Sequence, residues 1–124
     1  MELTADLVLT HGYFLFEDEK EAAIMRPYPP LGLLYISAFL RRLGFSVEVF
    51  DSTFASREWL LERLLRRPGV LGICTNLITR RAVLDIIALA KTAGWIVIAG
   101  GPESANYPHE YLAAGADVVV IGEG

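Results

Sequence analysis

Val70-Leu71-Gly72-Ile73-Cys74, then Thr75-Asn76, then Val83, Ile86, Ile87 and Ala90 at helical spacing, then Gly94 and Ile96-Val97-Ile98-Ala99-Gly100-Gly101: this stretch decides the fold. Its two short, continuous apolar runs have the character of parallel strands buried on both faces. The segment between them repeats its apolar residues every three or four positions, which predicts an amphipathic helix. Glycine closes that helix because it alone enters the left-handed region without a steric cost. A strand, a helix and a second strand in this order form a right-handed βαβ unit.

The same unit extends in both directions. Gly44, Gly69, Gly94 and Gly115 each end a helix-like stretch and precede an apolar run. The runs are Leu7 to Leu9, Val47 to Phe50, Val70 to Cys74, Ile96 to Ala99 and Val118 to Ile121. Two further helical stretches carry Leu33, Ile36, Leu40 and Leu43, and Leu60, Leu61, Leu64 and Leu65. Ser56 and Thr79 are expected to cap helix starts, and Pro108 suits a first helical position. Five strands and four helices in strict alternation predict an α/β fold, a doubly wound five-stranded parallel sheet in the flavodoxin-like (Rossmann-like) order 2-1-3-4-5.

The chain has 124 residues, 53% of them hydrophobic and 21% charged, with a mean hydropathy of +0.41. That balance excludes disorder and sets the size of one domain, residues 1–124. Eleven basic against fifteen acidic residues give a net charge of −4, opposite to the footprint of a nucleic-acid binder. The longest apolar stretch, Leu31 to Leu40, is half of what spans a bilayer, so no membrane-spanning segment is expected. A single cysteine, Cys74, and a start without a basic leader fit the cytoplasm.

In a 2-1-3-4-5 sheet, ligands bind beyond the carboxyl ends of the strands, between strands one and three. Three loops reach that place. Thr10 to Pro30 spans about twenty residues where roughly two to six are typical, which marks a ligand loop or a mobile one. Thr75-Asn76-Leu77-Ile78 offers small polar groups that either meet a ligand or make a cap and an Asx-turn. In Gly100-Gly101-Pro102-Glu103, the glycines either let main chain approach a ligand or shape a tight turn. His11, followed by Gly12, ends strand one, where its ring can coordinate a metal-bearing cofactor or bond loop backbone; no acid beside it in sequence orients the ring. Asp51 ends strand two, where it can meet a ribose hydroxyl or open a turn. The acidic run Glu17, Asp18, Glu19 and Glu21 reads as a solvated segment. Phosphate-cradling glycine motifs, a nucleophile elbow and a zinc or iron–sulfur ligand set are all missing from the sequence.

Tyr28-Pro29-Pro30-Leu31-Gly32-Leu33-Leu34-Tyr35-Ile36-Ser37-Ala38, continuing through Leu40 to Phe45, resembles the first helix of cobalamin-binding domains that precede radical S-adenosylmethionine enzymes. Ala99-Gly100-Gly101-Pro102-Glu103 and Ala114-Gly115-Ala116-Asp117 through Val120 to Gly124 share that likeness. Cobalamin domains carry D-x-H-x-x-G after strand one, S-x-L after strand three and G-G after strand four. Thr75-Asn76-Leu77 matches the second with Thr for Ser, and Gly100-Gly101 matches the third. The first departs, because Leu9 and Phe14 stand where Asp and Gly belong if His11 is its histidine.

The resemblance implies cobalamin held without a histidine on cobalt, its nucleotide tail among the loops of strands one, three and four. Thr75, Asn76, Leu77, Gly100, Gly101, His11 and Gly12 are the binding residues expected on these grounds. It further implies an N-terminal fragment of a longer enzyme, in which a following radical S-adenosylmethionine domain holds a four-iron four-sulfur cluster and S-adenosylmethionine. In such a parent this chain would hold and orient the cofactor, and catalysis would belong to the other domain. A flavin- or nucleotide-binding module fits the same crevice. A receiver-like signalling or interaction domain shares the fold, but Thr75 and Glu123 occupy the places of its phosphorylated Asp and its Lys.

Overall fold

The computed structural model describes residues 7–14 and 31–122. In chain order these form β1 (Leu7–His11), α1 (Leu31–Arg42), β2 (Val47–Phe50), a 3-10 turn (Ser52–Phe54), α2 (Arg57–Leu65), β3 (Val70–Cys74), α3 (Arg80–Thr92), β4 (Ile96–Gly100), α4 (Pro102–Asn106), α5 (Pro108–Ala114) and β5 (Val118–Val119). All strands are parallel, in the order β2-β1-β3-β4-β5 that the sequence predicts. The helix expected between β4 and β5 is divided, because Pro108 starts a new helix after Tyr107.

Three of the four glycine stops close their helices in the left-handed region. Gly44, Gly94 and Gly115 have φ of 94°, 95° and 127°. At each, the next residue's N–H returns to a carbonyl five residues back, as in Phe45 to Leu40, Trp95 to Ala90 and Ala116 to Tyr111. Gly69 is different: α2 ends at Leu65, and Pro68 already prevents its continuation. Ser56 caps α2 through the N–H of Trp59 at 3.2 Å. Thr79 does not cap α3; its N–H and hydroxyl donate instead to Asn76 Oδ1 at 2.9 and 3.1 Å.

Right-handed crossovers put α1 on one face of the sheet, because only the β1-to-β2 step runs leftward, and put α2, α3, α4 and α5 on the other. The second face carries the main core. Val8, Leu71, Ile73, Val97 and Ala99 pack there against Leu60, Leu64, Val83, Ile86, Ile87, Ala90 and Tyr111. Each fully buried aliphatic side chain contributes roughly 1.5–3 kcal/mol. Arg63 is buried beside this core, paired with Glu48 at 3.1 Å and stacked near Trp95.

The α1 face is thinner. Leu9, Val47 and Leu33 form a small cluster flanked by Leu7, Leu40, Val49 and Cys74. The sequence predicts Ile36 and Leu43 on the buried stripe of α1, but both are exposed and Ser37 is buried with Leu33. Among the described residues a single helix rests on β1 and β2, and nothing covers its other flanks. For the same reason the expectation of strands buried on both faces fails at Ile96 and Val118, which are 53% and 48% exposed.

Candidate functional site

Loops leaving β1 and β3 diverge because β1 is followed leftward by β2, whereas β3 is followed rightward by β4. The crevice between them has two walls at the carboxyl edge. Register aligns His11, Cys74 and Gly100 in one row across β1, β3 and β4. Parallel neighbours share a face, so these three point to the α1 side.

The wall formed by β1 and β2 is polar and self-bonded. His11 Nε2 lies 2.8 Å from Asp51 Oδ1. Its Nδ1 accepts the N–H of Tyr13 at 3.2 Å, which assigns the ring proton to Nε2. Ser52 Oγ is buried within 2.8 Å of His11 O, 2.7 Å of Tyr13 O and 3.2 Å of His11 Nδ1, so its proton is shared among these acceptors. Thr10, also buried, donates to Phe50 O at 2.6 Å and ties the strand ends together. Asp51 additionally accepts the N–H of Thr53, opening the 3-10 turn. Burial raises the Asp51 pKa, but the hydrogen bonds from Thr53 and His11 outweigh it and leave the carboxyl below its ordinary value.

This corrects one sequence expectation. An acid does orient His11, and it stands forty residues away, just beyond the end of the adjacent strand. The signal was present: strand order places β2 beside β1, and the Thr10–Phe50 pairing brings the following residues, His11 and Asp51, together. With Nε2 facing Asp51 and Nδ1 facing Tyr13 N–H, the imidazole has no free nitrogen to offer a metal.

The wall formed by β3 and β4 is built around Thr75. Its side chain is fully buried, donates toward Gly100 O at 2.8 Å and accepts the N–H of Ser104 at 2.9 Å. Thr75 thereby joins the ends of β3 and β4 to the start of α4. Gly101 lies directly against it: a Cβ there would come within 2.5 Å of Thr75 O, and φ is +104°. The side-chain space of Gly101 is therefore filled, contrary to the expectation that both glycines admit a ligand. Gly100 is the bare one, with nothing within 4 Å of a Cβ and an ordinary backbone conformation. Gly12 packs like Gly101, since its Cβ would strike Val83 Cγ2 at 2.6 Å.

Asn76 is exposed, with its Oδ1 committed to Thr79. Leu77 is 73% exposed beside it. Cys74, next to Gly100 in the row, is half-buried; burial pushes its thiol pKa up despite an opposing hydrogen bond from Thr75 backbone. Of the seven expected site residues, Gly100, Leu77 and Asn76 thus present surface, while Thr75, Gly101, Gly12 and His11 shape the edge from within. Sequence reasoning missed Ser52, Ser104 and the Arg80–Glu103 pair, all of which act across the chain rather than along it. The acidic run and most of the Thr10–Pro30 loop lie outside the described residues.

Among the described residues no cluster of three or more His, Cys, Asp or Glu could hold a metal ion, and no helix is long and apolar enough to cross a membrane. Searches of curated proteins and of solved structures give no match to the chain. Residues 22–124 match the family model described as the B12 binding domain, a stretch that contains β2 to β5, both glycines of the β4 loop and the whole Thr75–Leu77 segment. With that match over most of its length, and with the parallel 2-1-3-4-5 sheet beneath it, the chain belongs to the B12-binding domain family.

Proposed function

We propose that this chain binds cobalamin at the carboxyl edge of the sheet. In this reading Gly100 and Cys74 would hold the nucleotide tail, and Leu77 and Asn76 would hold the corrin ring. The observation that carries the placement is Gly100: a strand-end glycine with open space where a side chain would stand, in the row that faces the switch-point crevice. A bulky cofactor with a long appendage needs close approach to bare main chain and an apolar rest for its flat ring, and Gly100 and Leu77 supply these. Thr75 and Gly101 hold that floor in shape.

Cobalamin, when bound, supplies the organometallic chemistry of its cobalt, and the protein supplies binding and orientation. His11 keeps its ring on Asp51 and Tyr13, so it contributes no ligand to cobalt. Presentation to a radical S-adenosylmethionine domain, with its own iron–sulfur cluster, is supported by the likeness of the Tyr28–Phe45, Ala99–Glu103 and Ala114–Gly124 segments to the domains that precede such enzymes.

The test is to load the protein with hydroxocobalamin, remove the excess by gel filtration and record the visible spectrum. Retained cobalt absorption is expected. Gly100→Leu is expected to lose it with an unchanged circular dichroism spectrum, and His11→Gln to keep both retention and the shape of the bound spectrum. Failure of the unaltered chain to retain the cofactor overturns the reading, and retention by Gly100→Leu overturns the placement. Protection of Cys74 from a maleimide by bound cofactor is a second expected readout.

A further inference from the structure

We infer that Arg80 is a positioning residue for this edge, a clamp that fixes the Gly100–Gly101 loop against the Thr75–Leu77 loop by holding Glu103. Its consequence for cofactor affinity rests on the cobalamin reading; the clamp itself does not.

Arg80 is the first residue of α3, three positions beyond Leu77. Its Nε lies 3.2 Å from Glu103 Oε1, its Nη2 pairs with Glu110, and its guanidinium sits 5.1 Å from the Tyr107 ring. One cation thus joins the β3 loop to both short helices that follow β4. Glu103 is the second residue of α4, two beyond Gly101, and only 5% exposed. Its Oε1 is ion-paired to Arg80 but lies off the N–H axis, so no directed hydrogen bond satisfies it. Tyr111, fully buried, likewise leaves its hydroxyl without a hydrogen-bond partner, and burial followed by the nearby Glu103 carboxylate pushes its pKa up.

The physical case rests on what α4 lacks. A helix of five residues is too short to be stable by itself, so tertiary contacts decide where it lies. Polar contacts reach it from the β3 side, from Thr75 to Ser104 and from Arg80 to Glu103. An exposed ion pair would be worth little. Here one partner is a buried carboxylate, and removing its cation leaves that charge buried without its ion-pair partner. The relief is for Glu103 to swing toward water. Because Glu103 lies two residues from Gly101, that movement displaces the loop whose position sets the floor of the site.

The test compares the unaltered full chain with Arg80→Gln, Arg80→Lys, Glu103→Gln and the Arg80→Gln/Glu103→Gln pair. Without cofactor, Arg80→Gln is expected to speed amide exchange about tenfold at Ala105 and Tyr107, whose N–H groups bond Gly101 O and Glu103 O, while β1 and β3 amides keep their rates. Arg80→Lys is expected to restore part of the protection, and the double variant to be no worse than Arg80→Gln alone. With hydroxocobalamin, affinity is expected to fall about tenfold in Arg80→Gln, measured at a temperature where that variant remains folded. Unchanged exchange at Ala105 and Tyr107, or acceleration spread evenly over the sheet, overturns the clamp. Selective acceleration in a chain that binds no cobalamin leaves the clamp standing and overturns the cofactor reading instead.

Discussion

On the β1–β2 wall of the crevice, His11, Asp51 and Ser52 spend their polar atoms on one another and on nearby main chain. On the β3–β4 wall, Gly100 opens onto empty space and Leu77 onto solvent. The wall with the more conspicuous chemistry is the closed one. A histidine, an aspartate and a serine within hydrogen-bonding reach suggest a reactive site, yet Ser52 is buried and both imidazole nitrogens are engaged. The wall suited to a large cofactor is marked by a missing side chain.

The sharpest break of this comparison is a pair of glycine variants. Gly101→Leu must push into Thr75 main chain and hold a left-handed φ, so it is expected to cost about 3 kcal/mol or more in chemical denaturation. Gly100→Leu meets nothing and is expected to cost less than about 1 kcal/mol. Equal costs would erase the distinction between a packed glycine and a bare one.

A smaller effect is expected from Thr75→Val, which keeps the shape and removes the hydroxyl. It strands the buried Ser104 N–H and weakens the link to Gly100, at about 1–3 kcal/mol, whereas Thr75→Ser should stay close to the parent. Ser52→Ala is expected to cost about 1–2 kcal/mol, and its combination with His11→Ala to cost less than the sum, because both belong to one network. Additive losses would show that the β1–β2 wall is not a unit.

The smallest effect concerns pH. Asp51 has a native pKa below its ordinary value, so the stability it contributes is complete above about pH 4 and is lost as pH falls through the lower native value. Urea midpoints measured from pH 6 down to pH 3 should show a shallower decline for Asp51→Asn than for the parent. A parallel decline would mean that the pairing with His11 and Thr53 is not maintained in solution.

Much of the architecture could be read from local pattern. The run Val83, Ile86, Ile87, Ala90 is buried as its spacing predicts, and Gly44, Gly94 and Gly115 close their helices. The order 2-1-3-4-5 is the usual one for five alternating strands in a chain of this size, and the sheet has it. Legibility stopped where two distant segments meet. Ile36 and Leu43 share the apolar character of Leu33, but among the described residues no second helix lies on the α1 face to cover them. Thr79 reads as a cap, but its hydroxyl is turned back to donate to Asn76 Oδ1 and accepts no N–H from the first turn of α3.

The same boundary runs through the candidate site. Sequence alone determined that glycines, a small hydroxyl residue and a leucine stand at the ends of strands three and four, since strand ends and turn residues are set by local periodicity and backbone preference. Tertiary structure decided which of two adjacent glycines is bare, that His11 is committed to Asp51, and that Arg80 reaches Glu103. Those outcomes depend on register between segments roughly twenty to forty residues apart, where a shift of one residue turns a side chain to the opposite face.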